Sequence, residues 1–159
     1  MKSYSLIIMK PDALERELVE EIIQRFTNNE FIIEMVSYKE VNENLILHHY
    51  THVINKLGEP FKRMAIKSFV GKAMIPIILS QNGNDAIANS RLLIGATDPS
   101  VALLGTIRGD YGEDSMKIAN QEDRCCNNLI HASDSHESFL EELALWFSPK
   151  THENYYNID

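Results

Sequence analysis

The chemistry this chain can carry centres on His131, within NNLIHASDSHESFLEELALWF at residues 127–147. The apolar pair Leu129-Ile130 closes a buried strand, and Asp134 followed three residues later by Glu137 has the form of a capping box opening a helix. That places His131 at a strand-to-helix turn, beside the first free backbone N–H groups of a helix, a position suited to anions. A neutral imidazole is a competent nucleophile toward phosphorus, and Ser133 and Glu142 lie close enough in sequence to orient the ring. Lys10, Arg91 and Arg108 come from three separate places, each beside a turn or strand end, and can converge on a polyphosphate. Arginine binds phosphate oxygens bidentately and lysine supplies a point charge, while Thr97 adds a hydroxyl donor. Taken singly, each of these residues has an ordinary alternative: a solvated surface charge, half of a salt bridge, or a hydrogen-bonded histidine near the core.

Other candidates are weaker. His48 and His52 lie one helical turn apart and are able to share a metal ion, but no third ligand and no HExxH acid accompany them. With His49 they are expected to form an exposed, histidine-rich helix face. Asp12 and the pairs Glu20-Glu21 and Glu141-Glu142 fit helix starts or solvated faces, Glu142 excepted.

The whole chain bounds these options. Its 159 residues fit one domain, here residues 1–148, followed by a polar tail at 149–159 that is either mobile or docked on a neighbouring subunit. The 44% hydrophobic and 24% charged fractions are those of a globular protein, and no apolar run is long enough to span a membrane. A formal charge of -8 argues against nucleic-acid binding through a broad basic surface, so any anionic ligand needs local cations. Cys125 and Cys126 are adjacent and supply neither a disulfide framework nor a CxxC metal pair. Together with an N-terminus that resembles no signal or transit peptide, they point to the cytoplasm.

The elements that must position the chemistry follow from periodicity. Residues 4–9 form a strand buried on both faces, ending at Lys10 before Pro11. Residues 14–26 carry a helical apolar stripe, and residues 31–41 a second strand expected to pair with the first. Residues 42–57 and 61–69 are helical, separated by Gly58-Glu59-Pro60. Residues 72–80 form a strand whose Pro76 suits an edge or a bulge better than a central position. Residues 85–93 form a helix, residues 94–112 a loop of a length usually either functional or disordered, and residues 113–124 have no clear pattern. The order predicts an α+β fold of ferredoxin-like type, an antiparallel sheet covered on one face by helices.

The segments MKPDAL, IGATDP, GTIRGDYG and NLIHASDSHES followed by LWF, in this order, resemble the motifs of nucleoside diphosphate kinases over residues 4 to about 149. The resemblance implies a ping-pong reaction in which His131 takes the γ-phosphate of a nucleoside triphosphate and passes it to a nucleoside diphosphate. Magnesium travels with the nucleotide rather than in a protein metal site, and no general base beyond the histidine is required. By position in matching motifs, Lys10, Tyr50, Arg91, Thr97 and Arg108 contact the phosphate and ribose-phosphate region, and Asn128 with Lys10 meets the sugar. Phe61 stacks on the base, while Ser133 and Glu142 position the histidine. The resemblance further implies a homo-oligomer, a hexamer or tetramer. The chain departs from the family pattern at Ala132, where glycine is common, at Leu104, where proline is frequent, and in longer segments at 109–127 and between Tyr50 and Pro60. An alternative of the same fold is a nucleotide-binding or scaffold module with weakened catalysis.

Overall fold

Strand β1 (Lys2–Met9) turns Ile7 and Met9 into one core and Leu6 and Ile8 into another, as the two-residue period of a strand requires. The computed structural model describes residues 1–83 and 85–155. The remaining strands are β2 (Ile32–Val36), β3 (Lys39–Glu40), β4 (Ala73–Asn82) and β5 (Ile130–Ala132). All pairings are antiparallel, in the order β2-β4-β1-β5, with β3 also on β4. This is the ferredoxin-like α+β arrangement expected.

Two expectations about the sheet are corrected. β2 pairs with β4, not with β1, whose two edges are taken by β4 and β5. Pro76 lies opposite Ile8 in the middle of the sheet rather than on an edge. Its carbonyl accepts from Ser37 N at 3.0 Å, and an antiparallel residue turns its N–H the same way, so the missing donor faces the break between β2 and β3.

The helices are α1 (Pro11–Glu15), α2 (Val19–Thr27), α3 (Glu43–His49), α4 (Thr51–Leu57), α5 (Glu59–Phe69), α6 (Ala86–Ile94), α7 (Ile107–Tyr111), α8 (Met116–Gln121), α9 (His136–Trp146) and α10 (Pro149–Tyr155). They cover both faces of the sheet, not one. Ala13, Ile22, Phe26, Ile94 and Ile107 pack under one face, and Ile46, Ala65, Phe69, Phe139, Leu143 and Trp146 under the other.

The stripe at 14–26 breaks into α1 and α2 because α1 ends in a Schellman motif. Leu18 N bonds Ala13 O, Glu17 N bonds Leu14 O, and Glu17 takes φ 56. Glutamate in the position usually held by glycine leaves no sequence signal. The long loop is also structured: a 3-10 turn (Pro99–Val101) and α7 lie within it, and Thr106 caps α7 by accepting from Gly109 N. Gly109 is obligatory there, since a Cβ would sit 1.9 Å from Leu103 O. The segment at 113–127 forms α8 and a strap tied by Arg124 to Asp114, by Asn127 N to Asp114, and by Cys125 N to Ser68 on α5. Tyr155 of α10 packs edge-on against Tyr4 and Phe139, and residues 156–159 lie outside the described residues. No described helix is long and apolar enough to cross a membrane.

Candidate active site

His131 lies inside strand β5 opposite Ile8, not at a strand-to-helix turn. Helix α9 starts later than its acidic pattern suggests: Ser135 is the N-cap and accepts from Ser138 N, while Asp134 bonds the Ser138 hydroxyl. Strand pairing therefore fixes the imidazole, and alternation turns it toward the core that holds Ile8 and Trp146 while Ile130 and Ala132 face the other. Its ring is 29% exposed and lines a cavity of about 500 Å³.

Lys10, Tyr50, Arg91, Thr97, Arg108, Asn128 and Glu142 line the same cavity, so the cations from separate parts of the chain do converge. Phe61 and Ser133 do not line it. Phe61 instead packs edge-on against Tyr50, 5.3 Å between centroids. Ser133 is buried, and its Oγ has no hydrogen-bond partner among the described residues, so it does not hold the histidine. Glu142 does: its Oε2 contacts His131 Nε2. A carboxylate accepts, so Nε2 carries the proton and Nδ1 keeps its lone pair.

The cations are held in different ways. Lys10 is buried, donates to Asn128 Oδ1 at 2.8 Å and lies 5.2 Å over the Phe69 ring. Burial pushes its ammonium below the ordinary lysine value, opposed by nearby Asp12. Arg108 sits in α7 and is also buried; Nε donates to Asn128 O at 3.1 Å, Nη1 to Gly95 O at 3.1 Å, and Nη2 to Ile130 O. Burial lowers its pKa to about 10, with Arg91 adding repulsion. Arg91 is exposed and reaches Ala132 O at 3.4 Å. Asn128 joins the set, its Oδ1 accepting from Lys10 Nζ and its Nδ2 donating to Thr97 O at 3.0 Å.

Two residues matter more than their sequence context suggests. Asp12 is buried at the start of α1 and accepts from Leu129 N at 3.0 Å, steadying a leucine at φ 74 between Asn128 and Ile130. A non-glycine residue in that region costs on the order of 1–3 kcal/mol, so the bond supports strain beside the site. His49 is not on an exposed face with His48 and His52. Its side chain is 4% exposed, its ring stands edge-on 4.5 Å from that of His131, and its Nδ1 accepts from Trp146 Nε1 at 3.0 Å. The available signal was its place on the same helical stripe as Leu45 and Val53.

Burial, with His131 and Lys10 adding repulsion, holds His49 well below its ordinary value of 6.5. The folded chain thus resists protonation that the unfolded chain accepts. Between pH 6.5 and the lower folded value the unfolded state binds more protons, so this contribution to stability falls on acidification. Thermal unfolding from pH 7.5 to 5 should show it, with a slope of up to about 1.4 kcal/mol per pH unit from this group. In His49→Phe that part of the slope disappears.

The departures at Ala132 and Leu104 leave the site's backbone in place. Ala132 has no positive φ and pairs with Ile7 in β5, so its methyl group meets no backbone restriction. Leu104 is 87% exposed, on the outer surface of the loop.

The chain that carries this histidine–carboxylate pair on a cation-lined cavity, in a ferredoxin-like sheet, has counterparts among known proteins. A family model described as nucleoside diphosphate kinase matches residues 3–152. Nucleoside diphosphate kinase 3 of Mus musculus is 36% identical over 143 residues, covering 90% of this chain and 76% of that protein. The nucleoside diphosphate kinase of Streptococcus pneumoniae strain Hungary19A-6 is 36% identical over 144 residues, 90% of this chain and 98% of that one. Among solved structures, the Borrelia burgdorferi nucleoside-diphosphate kinase, a transition-state mimic with bound vanadate and ADP, superposes with a TM-score of 0.86 at 28% identity, covering 94% of this chain and 89% of that one. The Pyrobaculum aerophilum NDP kinase gives 0.82 at 30% identity, covering 95% and 98%. Since motif order, fold and overall sequence agree across nearly the whole length, the chain belongs to the nucleoside diphosphate kinase family.

Proposed function

We propose that this nucleoside diphosphate kinase family member moves the γ-phosphoryl group of a nucleoside triphosphate to a nucleoside diphosphate through His131 Nδ1. The observation that supports this reading is the pairing of His131 Nε2 with Glu142, which leaves the lone pair on Nδ1, on a ring that lines the same cavity as Lys10, Arg91 and Arg108. The Nδ1 lone pair attacks phosphorus, the bond to the β–γ bridging oxygen breaks, and the diphosphate leaves with the bond electrons. Nε2 keeps its proton, and the positive charge growing on the ring faces the Glu142 carboxylate. In the second half, an oxygen of the acceptor's terminal phosphate attacks, the P–N bond breaks and the imidazole is restored. Alignment and charge compensation supply most of such catalysis, and the cations serve both.

In this reading Tyr50 and Thr97 border the phosphates, Asn128 with Lys10 meets the ribose, and Phe61 offers the base a ring face at the outer edge of Tyr50. Ser133 acts through its backbone, whose N–H donates to Leu6 O at 3.0 Å just after β5. The carboxylates of Asp134 and Glu141 on the cavity wall would be the oxygen donors for a magnesium ion accompanying the nucleotide, which would offset phosphate charge. Assembly into a homo-oligomer, a hexamer or tetramer, is supported by exposed apolar side chains on edge strand β2 (Ile32, Met35, Val36) and in the loop (Val101, Leu103, Leu104). The free thiols Cys125 and Cys126 fit a cytoplasmic location.

Incubation of the whole chain with γ-labelled ATP and magnesium tests the reading. Label is expected on the protein, stable to base, labile to acid, and chased into product by any common nucleoside diphosphate. Nucleotide binding with no label on the protein would favour the scaffold alternative.

A further inference from the structure

We infer that His49, His131 and Glu142 form a binding site for a borderline divalent transition ion such as Zn2+, and that its occupation disarms the nucleophile. The binding stands on geometry alone; only its effect on transfer rests on the proposed phosphohistidine route.

One ligand atom from each residue lies within 4.8 Å of the other two, and the residues come from α3, β5 and α9, elements already packed around one core. His131 Nε2 and Glu142 Oε2 are in contact, and His49 Nδ1 is 3.8 Å from the same carboxylate oxygen. Two imidazoles and one carboxylate are a donor set that zinc takes with a fourth position left for water. Ligands around tetrahedral zinc stand roughly 3.3 Å apart, from bonds of about 2.0–2.2 Å, so modest side-chain rotations close the site. Magnesium is not favoured here: it prefers oxygen ligands in octahedral geometry, whereas this set is rich in nitrogen. The ion that travels with the nucleotide and the ion this cluster selects are chemically distinct.

The consequence follows from the tautomer. A neutral imidazole has one proton, which Glu142 keeps on Nε2 of His131. Zinc takes the Nε2 lone pair, so that proton moves to Nδ1 and removes the lone pair that attacks phosphorus; no net proton is released by this ring. His49 already has its lone pair on Nδ1, where Trp146 Nε1–H now donates, so metal binding there makes the indole lose its acceptor. Trp146 is the chain's one tryptophan, and its emission reports the exchange.

Competing sites are poorer. His52 and Glu141, 3.7 Å apart and both exposed, offer two donors, and burial raises the pKa of both the Cys125 and Cys126 thiols, which disfavours thiolate.

The test uses the whole chain, freed of metal by chelator and without nucleotide. Zn2+ titrated by calorimetry should bind at one equivalent, Co2+ should give a tetrahedral visible band without thiolate charge transfer, and Trp146 emission should change in step. His49→Phe and Glu142→Gln should each weaken binding by on the order of 100-fold, at or beyond the upper end of an outer-shell effect. His52→Gln and Cys125→Ser should leave it unchanged. Native circular dichroism is checked for each variant; the near-isosteric Glu142→Gln decides if His49→Phe fails to fold. No uptake by the native chain, uptake that survives both ligand substitutions, or a thiolate band would overturn the proposal. In the second arm, Zn2+ should suppress labelling of the native protein by γ-labelled MgATP and chelator should restore it; equal suppression in a folded His49→Phe would overturn the inhibitory role. If the phosphohistidine route fails, no label forms with or without Zn2+, while the nucleotide-free titration still decides the site.

Discussion

His131→Ala leaves the chain folded and able to bind nucleotide but unable to take label from γ-labelled ATP. Transfer should fall by a factor on the order of 10⁴ or more, as expected when the nucleophile of a cooperating group is removed. The fold survives because β5 keeps its backbone pairing with β1, and because the imidazole is partly exposed rather than a core filler. Binding survives because Lys10, Arg91 and Arg108 remain. The melting temperature of the variant should therefore still rise when ATP and magnesium are added, as ligand binding to the native state requires. Label persisting on the variant would move the nucleophile elsewhere. Loss of the thermal shift together with the label would mean that the histidine holds the cavity together instead of reacting in it.

Arg108→Ala should damage stability as well as transfer. Sequence position suggests a loop residue whose removal leaves the fold intact, but the guanidinium is buried and donates to the carbonyls of Asn128, Gly95 and Ile130. Truncation strands these acceptors between β5, the end of α6 and α7. A net loss of about 3 kcal/mol is expected, since each charge-assisted bond contributes roughly 1.5–3 kcal/mol and water repairs part of the damage. That corresponds to a fall of roughly 6–12 °C in melting temperature for a chain of this size. Arg108→Lys separates the two roles: it returns the charge to the cavity but not the planar fork, so it should recover more transfer than stability. An alanine variant as stable as the native chain would show that the three carbonyl bonds contribute nothing net. The same contrast applies to Lys10, which is also buried and tied to Asn128.

Much of the site was legible because its residues sit in local signals. Lys10 precedes Pro11 at the end of an apolar run, and Arg108 lies beside the glycine that its loop requires. Glu142 was singled out by its motif, and the structure places it on His131. Ser133, chosen on the same ground, points into the protein without a partner among the described residues. His49 was missed because it stands between two exposed histidines, and nothing local says that Trp146, 97 residues away, will supply a donor.

The sequence by itself determined what depends on near neighbours: the apolar runs that become β1 and β4, most helices, the cations at element ends, and the family motifs that mark His131. It also determined that an acidic chain needs local positive charge to hold a phosphate. Only the tertiary structure decided which strands pair, since any apolar run can hydrogen-bond to any other until packing on both faces selects β4 and β5 as the neighbours of β1. It decided that Pro76 can be central, because the break between β2 and β3 falls opposite its missing donor. It decided as well that His131 is held by a strand and its tautomer by a carboxylate from another element. Hydrogen bonds between residues distant in sequence leave no periodic trace, and those bonds are what turn a histidine and a set of cations into one site.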